Sequence, residues 1–169
     1  MVSETGFCVL RADARDVEDF ARLRIELFVE QARPDPVREL DALIERTRAA
    51  YQRGIGERTL LVWMARADSG RAIGALAMHL FPRLPSPASP TGEEGYVVNV
   101  YTSPDWRRRG VGSALMRSLL EESRRLRLGR LRLHTTREGR YLYSRFGFRD
   151  HADKSASSWP PCTSSASVE

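Results

Sequence analysis

Between Asn99 and Leu115 the chain reads Asn-Val-Tyr-Thr-Ser-Pro-Asp-Trp-Arg-Arg-Arg-Gly-Val-Gly-Ser-Ala-Leu, and this stretch constrains the fold more than any other. An extended segment from Tyr96 to Thr102 ends at Ser103-Pro104, because proline has no N–H for a ladder and restricts the residue before it. The chain then turns through Arg107, Arg108 and Arg109. Gly110 and Gly112 open a helix that Val111, Leu115, Leu119 and Leu126 carry to about Arg127 at helical spacing. A strand that runs into a helix N-terminus is a basic unit of α/β architecture. The first-turn N–H groups of such a helix lack internal partners and lie at the positive end of its dipole. Glycine allows close approach of backbone to a ligand, and three guanidinium groups surround the point. The junction suits a pyrophosphate.

The flanking sequence supplies the other elements. Phe7 to Ala12 reads as a strand and Asp13 as an N-cap. A helix suits Val17 to Gln31, with Val17, Phe20, Leu23, Leu27 and Phe28 on one apolar face. Arg33-Pro34-Asp35-Pro36 ends it, a second helix runs from about Val37 to Tyr51, and Gly54 and Gly56 stop that one. Arg58 to Arg66 and Ala72 to Phe81 form a hairpin about Asp68-Ser69-Gly70. The four prolines of residues 82–95 mark a loop, read as a substrate-side loop. Past the 110–127 helix come a short strand, Leu131 to His134, a helix from Glu138 to Phe146, and an extended segment from Phe148. The order β-α-α-β-β-β-α-β-α-β predicts an α/β fold of the α+β kind, a central mixed sheet flanked by helices. Its sheet is expected to be antiparallel at first and parallel around the third helix. Residues 1–154 are read as one domain and 155–169, rich in Ser, Pro and Ala, as a flexible tail.

Composition narrows the function classes. With 169 residues, 41% hydrophobic and 29% charged, the chain is ordinary globular material for one domain. The longest apolar run, Leu60 to Ala65, is strand-sized, so no membrane partner is expected. Met1 to Gly6 has neither basic nor apolar signal character, and a cytoplasmic location is the expectation. Cys8 and Cys162 lie at opposite ends, with no CxxC or Cys/His grouping, so no metal is expected; they read as one core thiol and one tail thiol. The net charge of +5 is uneven: residues 107–149 hold thirteen Arg against three Glu. Such a run serves a solvated face, a phosphorylated ligand or nucleic acid.

Absent motifs exclude two phosphate ligands. A dinucleotide fingerprint needs a third glycine where Leu115 stands, and a P-loop needs a lysine where the only one in the chain is Lys154. Arg107-x-x-Gly110-x-Gly112 instead resembles the [QR]xxGx[GA] acyl-CoA signature of the GCN5-related N-acetyltransferase (GNAT) family. About 30 residues on, Tyr143-Ser144-Arg145-Phe146-Gly147-Phe148 resembles that family's Tyr-x-x-x-Gly-Phe motif. The resemblance is firm over residues 96–149; over 7–81 only the element order is similar.

The resemblance implies a GNAT-like acyl-CoA N-acyltransferase fold and transfer of acetyl from acetyl-CoA to an amine by direct attack in a ternary complex. Val100, Tyr101 and Thr102 would bind the pantetheine arm as an added strand. Arg107, Arg108, Arg109, Gly110, Val111, Gly112 and Ser113 would hold the pyrophosphate. Tyr143 stands where the family often places a general acid toward the thiolate. An ammonium must lose a proton before it can attack, and Glu94 is the first candidate base, followed by Glu93, His79 and His134. Glu26, Glu30 and Gln31 fall on the helix that the family pattern makes the acceptor wall. Trp106 is read as a lid or stacking partner, Trp63 and Met64 as sheet core, and Tyr141 as structural. The acceptor stays open between a small-molecule amine and a peptide N-terminus, and a homodimer is compatible with an unpaired final strand. Two other classes remain: an arginine-rich nucleic-acid-binding module, for which no recognition motif is present, and a non-catalytic acyl-CoA-binding protein.

Overall fold

The computed structural model describes residues 6–31, 40–87, 89–135, 139–150 and 165–168. After Asp13, whose carboxylate accepts from Arg15 N while its own N–H donates to Asp16, a reciprocal capping box starts the chain into α1, Val17–Glu30. The second helix, α2, spans Leu40–Gly56. Strands β1 (Phe7–Arg11), β2 (Leu60–Ala67), β3 (Ala72–Pro82) and β4 (Glu93–Thr102) form an antiparallel meander. Helix α3, Val111–Arg125, then crosses over to β5, Arg130–His134, which pairs with β4 in parallel. Helix α4 is Arg140–Ser144, followed by β6, Arg149–Asp150, and β7, Ser165–Val168. The sheet order is β1-β2-β3-β4-β5-β7-β6, so the antiparallel-then-parallel arrangement is as expected.

The period-two alternation of β2 builds two cores. Leu61, Trp63 and Ala65 face α3, with Val111, Leu115, Met116 and Leu119. Val62 and Met64 face α1 and α2, with Phe20, Leu23 and Tyr51. The Tyr51 hydroxyl donates to Asp13 O at 2.7 Å and so ties α2 to the start of α1.

Several expectations are corrected. Gly54 does not stop α2, which runs past it and ends at Gly56. A Cβ on Gly54 would lie 2.6 Å from that of Leu60, so this glycine lets helix and strand touch. The fourth strand begins at Glu93 rather than Tyr96, which places Glu94 inside a strand and buries it. The 82–95 loop sits at the start of β4, the opposite end from Val100–Thr102. Cys8 is exposed, not core, because it alternates with inward-facing Phe7 on an edge strand. Ser165–Val168 is not tail: it pairs antiparallel with both β5 and β6, and its Ser-Ala-Ser-Val alternation fits a strand. Trp159 and Cys162 lie outside the described residues. Among the described residues, no helix is long and apolar enough to cross a membrane.

Candidate active site

The parallel ladder between β4 and β5 covers Glu94–Val97 against Arg130–Leu133 and goes no further among the described residues. On its other side β4 carries a bulge: Val98 faces Ala77 and Tyr101 faces Ala75, so Asn99 and Val100 together oppose Leu76. Asn99 takes φ +54°, a conformation asparagine tolerates better than most residues. The extra residue bends the strand. A cleft of about 780 Å³ opens there, lined by the Val98–Thr102 edge of β4, by Leu133 and His134 of β5, and by Tyr143 of α4.

The N-terminus of α3 reaches the same cleft. Gly110 is its N-cap at φ +87°, without a side-chain cap, and the first helical bond is Ala114 N to Gly110 O at 2.9 Å. The N–H groups of Val111, Gly112 and Ser113 therefore have no helical partner. A Cβ on Gly110 would meet nothing within 4 Å, so glycine serves the backbone angle and the open approach, not packing.

The three arginines separate. Arg107 donates from Nε to Thr102 O at 3.0 Å and pairs through Nη2 with Glu30. Arg108, at φ +58°, lines the cleft. Arg109 lies over the Trp106 ring, 5.2 Å from its centroid. Trp106 in turn meets Phe7 edge-on and lines the cleft.

On α4, Tyr143 is buried at 7% exposure against Phe148, and burial pushes its phenol up to about 12. His134, at the end of β5, shares a hydrogen bond through Nδ1 with the Tyr96 hydroxyl. On the α1 side Glu30 and Gln31 line the cleft. Arg107 holds the Glu30 carboxyl below its usual range, and burial raises the Tyr101 phenol, with Glu26 and Glu30 adding to it.

A family model described as the acetyltransferase (GNAT) family matches residues 18–148. The chain belongs to the GNAT acetyltransferase family. No curated protein matches it, but solved structures share the fold. A GCN5-related N-acetyltransferase from Ralstonia eutropha JMP134 is 25% identical with a TM-score of 0.76, covering 90% of this chain and 99% of that one. A predicted acetyltransferase from Clostridium acetobutylicum, crystallised with acetyl-CoA, is 21% identical with a TM-score of 0.77, covering 90% and 96%. The PaiA N-acetyltransferase from Thermoplasma acidophilum, in complex with coenzyme A, is 14% identical with a TM-score of 0.68, covering 95% and 97%.

In this GNAT domain the cleft gathers Val100, Tyr101, Thr102, Arg107, Arg108, Gly110, Val111, Gly112, Ser113 and Tyr143. Arg109 is drawn to Trp106 instead. Glu94 is not brought to the cleft. Six residue steps along the strand separate it from Val100, about 20 Å at ~3.3 Å per step. It lines a separate cavity of about 550 Å³ with Arg83 and Ser89, and Arg132 Nε lies 3.5 Å from its Oε2. Glu93 starts the same strand one residue earlier, and His79 opposes Tyr96 from β3 without lining the cleft. Of the four candidate bases only His134 is at the cleft. Tyr141, read as structural, is 74% exposed at the cleft rim. The arginines of 107–149 do not form one face: Arg125 pairs with Glu122, Arg132 approaches Glu94, and Arg145 lies over Tyr141.

Asn99 and Arg24 are the residues the sequence reasoning passed over. Arg24 Nη1 donates to Asn99 Oδ1 at 3.1 Å. A charge four residues from both Phe20 and Phe28, inside an apolar stripe, was the available signal.

Proposed function

We propose that the chain is an acetyl-CoA-dependent N-acetyltransferase acting on an amine by direct attack in a ternary complex. One observation carries this: an uncapped helix N-terminus, an unladdered strand edge and a buried tyrosine share a single cleft. The N–H groups of Val111, Gly112 and Ser113, with Arg108, receive the pyrophosphate, and Arg107 joins them when it leaves Glu30. The Val100–Thr102 edge receives the pantetheine amides as a neighbouring strand would. A backbone N–H near Val100 or Tyr101 polarises the thioester carbonyl, an effect of roughly 3–4 kcal/mol where one such donor has been removed.

Tyr143 is a weaker acid than an ordinary phenol, because burial favours its neutral form. Against a thiol near ~8.5, full proton transfer from a phenol near about 12 is uphill by about 5 kcal/mol. Tyr143 therefore stays protonated and hydrogen-bonds the sulfur as charge develops there. His134 takes the role first given to Glu94. In the tautomer whose Nδ1–H donates to the Tyr96 oxygen, Nε2 keeps its lone pair for the proton of the attacking amine. The N–C bond forms and the C–S bond breaks. The nitrogen's proton passes through His134 to solvent, and the released thiolate is protonated from solvent. No covalent enzyme intermediate is involved, since the one described thiol, Cys8, is on the edge strand.

Calorimetry with acetyl-CoA tests the reading, with Gly110→Asp as control, because a carboxylate there repels a pyrophosphate. Micromolar binding that the folded variant lacks, with thiol release when amines are added, is the expected result. Binding without turnover of any amine would leave an acyl-CoA-binding protein. No binding removes the enzyme reading altogether.

A further inference from the structure

Among the described residues, the arginines on α1 or paired across to it and its capping turn have carboxylate partners, with Arg24 the exception. Arg22 pairs with Glu26 at 2.6 Å, Arg66 with Asp16 and Asp19, and Arg107 with Glu30. Arg24 has no carboxylate partner among the described residues. Its guanidinium lies 4.7 Å from the centroid of the Phe28 ring and makes one hydrogen bond, to the neutral Asn99 amide. Burial lowers its pKa, and no acid offsets the effect. A cation withdrawn from water without a counter-ion is costly, and a nonpolar residue at this position in the stripe would avoid that cost.

Asn99 gives an independent sign of the same vacancy in the hydrogen bonding. It is 8% exposed, lines the cleft at the bulge, and has its Oδ1 occupied by Arg24. Its Nδ2 is buried with no acceptor, which costs about 1–3 kcal/mol if nothing fills the need. His79, facing the region from β3, adds no acceptor of negative charge; burial and the Arg24 charge both push its imidazole down. The guanidinium thus lacks a counter-charge, and the amide bonded to it lacks an acceptor for Nδ2. A neutral carbonyl would satisfy Asn99 and leave the charge of Arg24 uncompensated. A carboxylate, with two oxygens and a charge, answers both.

We infer that Arg24 and Asn99 form a carboxylate-binding subsite, and that the acceptor is a small amine carrying its own acid group. The inference rests on the acetyltransferase reading, which puts the acyl carbon beside Val100 and Tyr101. Asn99 adjoins Val100, so amine and acid are separated by only a few bonds, as in α- and β-amino acids. A peptide N-terminus other than Asp or Glu has no acid so close to its amine and leaves the subsite unmet.

The test is thiol release from acetyl-CoA over a panel of α- and β-amino acids, their primary amides and phosphoethanolamine, with acetyl-CoA binding measured in parallel. The acids are expected to exceed the matching amides at least tenfold in kcat/KM. Arg24→Gln is expected to raise KM for the acids about tenfold or more, with the loss in KM rather than kcat and with acetyl-CoA affinity kept. Arg24→Lys, which preserves the charge but not the fork, should restore part of the selectivity. Equal turnover of acid and amide, preference for phosphoethanolamine, turnover of no acid by a protein that binds acetyl-CoA, or unchanged acid KM in a folded Arg24→Gln each overturns the inference. Failure to bind acetyl-CoA shows up separately and overturns the enzyme reading instead.

Discussion

Arg107, the first residue of the acyl-CoA signature, is bound to Glu30 at the end of α1. The pair joins the two walls of the cleft: the strand that would carry the pantetheine arm and the helix that would face the acceptor. A phosphate arriving at α3 competes with Glu30 for this guanidinium.

Glu30→Gln is therefore expected to tighten acetyl-CoA binding about two- to fivefold, the range for an exposed ion pair. Because Arg107 holds the Glu30 carboxyl below its usual range, the pair is intact above that range and lost only on strong acidification. The gain should thus be constant from about pH 6 to about pH 8. Titrations at both pH values check this, and weaker binding in the variant would show that Glu30 positions Arg107 rather than occupying it.

Tyr143 couples the site to stability at alkaline pH. Its folded pKa is raised to about 12 by burial, so its contribution is complete below the unfolded value near ~10 and declines as pH rises through the folded one. Tyr51, also raised by burial, adds to the same slope. Urea unfolding of Tyr143→Phe is expected to fall less steeply than wild type between about pH 10 and about pH 12. Its kcat near neutrality should be lower by about a hundredfold, the loss of one hydrogen-bond donor to the developing thiolate. A wild-type kcat would mean that the phenol only packs.

Gly74 of β3 sets the position of the α3 N-terminus. A Cβ there would lie 2.9 Å from Tyr101 O and 3.1 Å from Val111 Cγ1, and the backbone oxygen cannot swing aside. Gly74→Ala should cost about 1–3 kcal/mol of stability and also weaken acetyl-CoA binding, because Val111 is the first residue of α3. Thermal melts and calorimetry on the same sample separate the two effects; unchanged values in both would show that the strand shifts freely.

Removal of residues 155–169 should lower Tm by several degrees and promote self-association, since β7 pairs with β5 and without it that strand becomes an open edge. Melting and light scattering on the shortened chain measure this. A truncated protein as stable and monomeric as the full one would assign β7 no structural role.

What was legible in the sequence was chemistry that backbone and local spacing enforce. Pro104, the glycines at 110 and 112 and the Tyr143 motif marked a strand end, a helix start and a cleft wall without help from distant residues. What was not legible depended on partners far along the chain. Gly54 looks like a helix stop until Leu60 is placed beside it, and Glu94 looks solvated until Arg132 of β5 is brought to it. Four residues, Ser165–Val168, are too few for their alternation to stand out, and only β5 and β6 give them a place. Arg24 was legible in principle, as the cation in an otherwise apolar stripe.

The bulge at Asn99 has a consequence for how this chain can vary in length. Strand side chains alternate, yet Val98 and Tyr101, three residues apart, both face α1 because one extra residue intervenes. Deleting a single residue between them would leave Tyr101 facing α1 but erase the bulge, and with it the bend that opens the cleft. A relative with one residue fewer across Val98–Tyr101 would keep the two faces of its sheet and lose the opening between β4 and β5, so the cleft depends on a count of residues as much as on their kind.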